Sequence, residues 1–380
     1  MVYYIDHTIH DALSARDLTE DEEVFFANLA NQYHLGHCYL CGDVQSLAAL
    51  SAKLGTPSHK IYRQVAACYA ESGAVMNLVR IVVVLSFSGS IAQVKLPSVL
   101  QADGKVCFVP VAQAEHWSQN HHCCLLGENL NDCKLYEYIA AYYCQHQRIK
   151  GLQVAFHHEN GGGNTINRVL SKCVREDQVL TLCIVDSDQK YGWTKAYGSP
   201  CKGETCRLVK EESDKLNQEV GFPPHHLHIL PVREVENLIP TQILRAFPKR
   251  RYPELSTGIK QLETLATILE GKPVLYYDFK LGFPIISHEP QRVYWKQVLL
   301  ALGRTEEEMP PCAKPMEDVD PTALRTFPPI TNKDLLAEAI DQCQQTDVAT
   351  LVLDAYLERQ WEDLGSLLLT WGCVTPQWSA

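Results

Sequence analysis

The stretch VLTLCIVDSD, residues 179–188, decides how this chain is read. Val179–Val185 is an apolar, largely β-branched run of the kind that forms a strand buried on both faces. Asp186 and Asp188 stand directly after it. In an open parallel sheet, ligands bind outside the carboxyl ends of the strands. A strand that runs into Asp-x-Asp therefore delivers two carboxylates to that edge.

Reading outward, strand-like and helix-like stretches alternate. His122–Leu126 predicts a strand, Asn129–His146 a helix with Leu135, Ile139 and Tyr142 on its apolar face, and Leu152–Phe156 a strand. Gly163–Val174 predicts a helix entered through a glycine turn, and Thr205–Glu219 another. Leu227–Leu230 predicts a strand, and Val235–Phe247 a helix. Such alternation predicts a parallel sheet covered on both faces, with right-handed crossovers. Residues 121–246 thus form one α/β domain. Residues 1–120 read as an N-terminal α/β region of unassigned role. Its expected strands are Val2–Ile5, Leu78–Phe87, Ile91–Leu96 and Val106–Val111, and its expected helices are Glu20–Tyr33, Gln45–Leu54 and Ile61–Ser72. Residues 247–380 read as a C-terminal helical region, broken by prolines and carrying amphipathic helices over Asp334–Gln345 and Ala349–Leu369.

The other strand exits are acidic too. CLLGENLND places Glu128 at the end of the first strand, with Asp132 one helical turn further on. HILPVREVEN places Glu234 and Glu236 shortly after the last. Carboxylates gathered at one sheet edge repel one another, and hard cations such as Mg²⁺ relieve that cost by taking oxygen ligands. Paired ions clamp the attacking and leaving oxygens of a phosphodiester. The plain alternative for each acid is a helix-start residue that caps and meets the helix dipole.

A Gly-Glu after the first strand followed by Asp-x-Asp after the third resembles the Toprim pattern of topoisomerases, bacterial primases and OLD-family nucleases. GENLND, the GGGN turn at Gly161–Asn164 and REVENLI resemble the OLD branch in particular. The resemblance covers roughly residues 121–246. It implies a Toprim (Rossmann-like) fold and a Mg²⁺-dependent nuclease, with Mn²⁺ as a substitute and two ions in use. It implies Glu128, Asp186 and Asp188 as ligands of one metal, Glu128 also serving as general acid or base. It implies Asp132 with Glu234 or Glu236 for the second metal, and close backbone approach at Gly161–Gly163. A catalytic lysine in a C-terminal motif would be Lys333, in TNKDLLAEAI. The substrate would be DNA or RNA, and an antiphage role is expected by analogy. OLD proteins often carry an ATPase; no G-x-x-x-x-G-K-[ST] occurs here, so any ATPase or regulatory protein would be a separate partner. The rival from another class is a non-catalytic Toprim module that binds nucleic acid or a partner.

Composition sets limits on these expectations. The chain has 380 residues, 15 cysteines and a net charge of −11. An odd cysteine count scattered over a long chain favours reduced, buried thiols over a disulfide framework. The acidic total counts against strong nucleic-acid binding by the lone chain, although Arg245 and Lys249–Arg251 form one basic stretch, whose plain reading is a solvated face. No apolar run approaches the roughly 20 residues that span a bilayer, and the start MVYYIDHTIHD lacks the marks of a secretory signal. A cytoplasmic protein without membrane contact is expected. Cys38-x-x-Cys41 beside His34 and His37 has zinc spacing, but neither Cys201 with Cys206 nor His121–Cys124 completes it convincingly. His225, His226 and His228 straddle a strand start, so adjacent ones point to opposite faces and a shared metal is not expected there. Asp6 and Asp43 faintly suggest a PIN-like nuclease fold, for which two acids are too few.

Overall fold

The computed structural model describes residues 1–102, 104–114, 117, 122–189, 191, 203–219, 223–280, 282–284, 289–303, 325–327, 330 and 335–375. The protein is α/β with parallel sheets and divides into two compact units. The first is Met1–Cys183, Val209–Leu227 and Asp363–Ala380; the second is Ile184–Leu208 and His228–Glu362. Among the described residues no helix is long and apolar enough to cross a membrane.

In the first unit, β1 (Val2–Ile5), β2 (Tyr39–Gly42), β3 (Val82–Ser86) and β4 (Val106–Pro110) form a parallel sheet of order β2-β1-β3-β4. Helices α1 (Thr8–Ala15), α2 (Glu20–His34), α3 (Val44–Lys53), α4 (Ser58–Ala67) and α5 (Tyr69–Leu78) connect the first three strands, and α6 (Val111–Ala114) follows the fourth. Thr19 and Glu22 begin α2 as a reciprocal capping box, and Asp43 caps α3 at Ser46 N. The apolar side chains Val2, Tyr4, Val82 and Val84 pack in one core with Val75, Met76, Leu369 and Cys373, so the last helix of the chain closes the first sheet.

The elements around the second sheet come in the order β5 (Cys124–Gly127), α7 (Leu130–His146), β6 (Gln153–Val154), β7 (His157–Asn160), α8 (Ile166–Arg175), β8 (Thr181–Val185), α9 (Glu204–Leu216) and β9 (His225–Ile229), with β6 outside the sheet. Its order is β7-β5-β8-β9. β5 runs parallel to both β7 and β8, with Leu126 opposite Glu159 and Cys183. The bonds Thr181 N→Pro224 O and Leu230 N→Val185 O advance together along β8 and β9, so these strands also run in the same direction.

The second unit is mainly helical: α10 (Thr241–Ala246), α11 (Leu255–Ala266), α12 (Lys272–Leu275), α13 (Glu289–Ala301) and α14 (Leu336–Gln345), with a short antiparallel pair β10 (Phe283–Pro284) and β11 (Arg325–Phe327). α15 (Ala355–Gly372) ends the helical series, and β12 (Cys373–Val374) pairs antiparallel with β6.

Several expectations are corrected. Leu152–Phe156 does not supply the sheet strand: β6 pairs with β12, and the polar stretch His157–Asn160 pairs with β5 instead. Ile91–Leu96 holds a 3₁₀ turn at Ile91–Gln93, set by the Ser90 hydroxyl accepting from Ala92 N. Ile61–Ser72 is two helices meeting at Cys68. Val235–Phe247 is a 3₁₀ turn and a short helix separated at Ile239-Pro240, because the residue before proline is driven out of the helical region.

Candidate functional site

The first acidic position is built by β5, α7 and the glycine turn, all within the first unit. Glu128 leaves β5 half-buried. Its backbone is clasped by the turn, with Gly161 N donating to Gly127 O at 2.9 Å and Gly163 N donating to Glu128 O at 3.2 Å. A side chain at Gly161 would put its Cβ 2.7 Å from Gly127 O, so the close approach expected of this turn is made to the chain around Glu128. The Cys183 thiol on β8 is held well above its usual range, by burial first, then by the neighbouring Cys173 and Glu128 charges.

Asp132 is buried, and both its oxygens are occupied: Oδ2 accepts from Asn129 N at 2.9 Å and Oδ1 from Asn129 Nδ2 at 2.7 Å. With Asn129 as N-cap, this is the capping box of α7. The helix-start alternative thus describes Asp132's geometry, and the box fixes how the chain leaves Glu128.

The remaining acids lie in the second unit. Ser187 is fully buried and donates to Val232 O at 2.5 Å, while Asp188 N donates to Arg233 O at 3.0 Å. These bonds lace the Asp-Ser-Asp segment to the start of REVEN. Asp188 adopts a left-handed φ of 54°, which Asp tolerates better than most residues. Its carboxylate lies where a Cβ on Gly203 would be. Gly203 thus leaves room for this acid.

Glu234 and Glu236 meet two residues that the sequence reading missed, Asp278 and Lys280. Lys280 Nζ lies 2.6 Å from Glu236 Oε1 and 3.9 Å from Glu234 Oε2. Arg233 bonds Asp278 Oδ2 at 2.5 Å through Nη2 and Glu234 Oε1 at 3.3 Å through Nε. Asn237 fixes the corner, accepting from Glu234 N and donating to Val274 O and Tyr277 O at 2.8 Å. Asp278 and Glu236 are buried. Glu234 is pushed above its ordinary value by burial first and then by the Asp278 and Glu236 charges, against the pull of Arg233 and Lys280. The sequence signal was no more than Asp-Phe-Lys at 278–280, and nothing local ties it to Glu236. Lys333 lies outside the described residues.

All the acids at issue offer hard oxygen donors, the chemistry that suits Mg²⁺ or Mn²⁺. Among the described residues no three His, Cys, Asp or Glu side chains gather closely enough to hold an ion by themselves. Mg²⁺ usually keeps several waters and takes one or two carboxylates plus substrate phosphates, so the donor set fits such an ion without a full protein cage. The zinc spacing resolves differently. Cys38 and Cys41 are buried, Cys41 Sγ donates to Tyr3 O, and His37 is engaged by Gln32 at 2.6 Å. Burial pushes the Cys38 thiol up to about 12, away from the thiolate that zinc requires.

Compared with family models, curated proteins and solved structures, the chain matches none, so the chemistry proposed for it rests on its own residues.

Proposed function

We propose that this protein is a Toprim-type, metal-dependent nuclease that hydrolyses phosphodiester bonds of DNA or RNA. One observation carries the reading: β5 and β8 are parallel neighbours in register Leu126↔Cys183, and each runs directly into acids, Glu128 from one and Asp186 and Asp188 from the other. Bound divalent ions would polarise the phosphate, activate water and neutralise charge on the leaving oxygen. In this reading Asp186 and Asp188 supply carboxylate oxygens. Glu128, held by the glycine turn, moves the proton of the attacking water. Glu234 and Glu236 would hold a second ion. Lys280, already set among these acids, supplies positive charge to the phosphate. Arg233 orients Asp278 and Glu234 rather than touching substrate.

The net charge of −11 favours gating by a partner that brings basic surface, and an effector role in antiphage defence is compatible with that. The ion pairs that already neutralise Glu236 and Asp278 favour a second reading, a non-catalytic module binding nucleic acid or a partner.

The test is incubation of the protein and its Asp186→Ala variant with plasmid DNA, single-stranded DNA and tRNA in Mg²⁺, Mn²⁺ or EDTA. Cleavage by the wild type alone, abolished in EDTA, is expected. A fully active, folded Asp186→Ala variant overturns the assignment. Nucleic-acid binding without turnover in any metal selects the second reading.

A further inference from the structure

A cavity of about 620 Å³ opens in the second unit between α10, α11 and the loop joining them. Its floor is apolar and buried, formed by Leu244, Phe247, Tyr252, Leu255 and Ile259. Three exposed cations, Arg245, Lys249 and Lys260, and one acid, Glu263, complete its charged lining. Arg245 is paired with Glu263. Among the described residues, Lys249 and Lys260 have no ion-pair partner. The neighbouring Arg251 is committed elsewhere, to Glu338 at 3.0 Å and over the Tyr252 ring. The basic stretch is exposed along its length, as its plain reading expects, and within it Lys249 lines a cavity in a chain whose total charge is strongly negative.

We infer that this cavity binds a nucleoside phosphate, its base against the apolar floor and its phosphate between Lys249 and Lys260. The size falls in the range of small-ligand sites, about 300–1,000 Å³, which are mostly apolar with a few convergent polar groups. With Arg245 offset by Glu263, Lys249 and Lys260 leave the lining with a surplus of positive charge, which favours an anion. The Phe247 and Tyr252 rings in the floor suit a planar base, and the Ser256 hydroxyl in the lining offers its edge a hydrogen-bonding group, while Glu263 is held by Arg245. The nucleoside phosphate could be a free nucleotide or part of a nucleic-acid strand. The inference does not depend on the acidic residues described above or on any metal.

The experiment is titration calorimetry in EDTA, where metal-dependent cleavage cannot occur, with ATP, GTP, oligothymidylate and inorganic phosphate as separate probes. The proteins are wild type, Lys249→Glu/Lys260→Glu, the cavity-filling Ser256→Trp and Asp186→Ala. Saturable binding of a nucleotide or the oligonucleotide is expected, weakened by about tenfold or more in the charge-reversed variant, as losing two charge-assisted contacts implies. Ser256→Trp should weaken it likewise, and Asp186→Ala should bind as wild type. A mononucleotide preference assigns the site to free nucleotide; binding of the oligonucleotide alone assigns it to a strand. Absence of saturable binding, unchanged affinity in Lys249→Glu/Lys260→Glu, or inorganic phosphate binding as tightly as the nucleotides overturns the inference. Melting curves check that each variant folds, and the single Lys249→Ala and Lys260→Ala changes, at exposed positions, replace any that does not.

Discussion

Asp6 is fully buried at the end of β1, and its two oxygens are treated differently. Oδ1 accepts from Thr8 N at 3.0 Å and from Thr8 Oγ1 at 2.6 Å; Oδ2 finds no hydrogen-bond partner among the described residues. Burial raises its pKa, against the Thr8 and Ser86 hydroxyls. A carboxyl whose folded pKa lies above its unfolded value is ionised first in the unfolded chain. As pH rises through that interval the native state binds more protons, and stability falls. Asp6→Asn removes this titration. Its stability relative to wild type should therefore improve as pH rises from below the carboxylate range to neutrality, measured by urea unfolding at several pH values. A difference that is flat or runs the other way refutes the account. Lys280 makes the opposite case, a cation that compensates buried acids. Lys280→Met should cost about 1–2 kcal/mol by leaving the Glu236 carboxylate without its ion pair, a figure held down by Lys280's partial exposure. Adding Glu236→Gln should recover part of the loss, and a double-mutant cycle reads that coupling.

At the scale of elements, the glycine turn before α8 separates two uses of glycine. Gly161 is confined by space: a Cβ there would meet Ile166 at 2.6 Å and Gly127 O at 2.7 Å. Gly163 is confined by conformation, with φ 61° and open space around it. Gly161→Ala should cost about 1–3 kcal/mol through forced displacement of packed atoms. Gly163→Ala should cost about 1–2 kcal/mol through left-handed strain alone. The first should disturb Gly127 directly, while the second reaches Glu128 through the Gly163 N–Glu128 O bond; equal amide shifts at Gly127 in both variants would refute the distinction. The same region shows what a sequence can reveal about elements. α7 was legible because its cap residue Asn129 and its apolar face are local features. β7 was not, because it is a partly exposed edge strand, HHEN, with no apolar alternation to betray it. Its apolar neighbours Leu152 and Val154 pack instead against the core of the first sheet.

At the scale of the whole molecule, the end of the chain belongs with its beginning. The Met1 ammonium donates to Cys373 O at 2.7 Å, Thr370 Oγ1 accepts from Arg80 N, and β12 pairs with β6. Leu369 and Cys373 share the core of Val2 and Tyr4. Deleting one buried Leu costs about 2–5 kcal/mol, and total stabilities are only about 5–15 kcal/mol. A chain ending at Glu362 should therefore fail to fold its first unit. Far-UV circular dichroism and amide dispersion would show this, and a native-like spectrum would contradict it.

Local pattern was enough to mark the apolar strand ended by Asp186 and Asp188, the Gly-Glu exit of β5, the glycine turn and the α/β class, because strand burial, capping and turn chemistry depend on neighbours within a few residues. Pairing and compensation were left to the tertiary structure. It decided that β6 serves β12, that Asp132 closes a capping box, and that Lys280 rather than any nearby residue neutralises Glu236. It also brought Arg233 to Asp278 across a separation of 45 residues. Ion pairs and strand partners of that range are selected by packing, which no periodicity or spacing in the chain records.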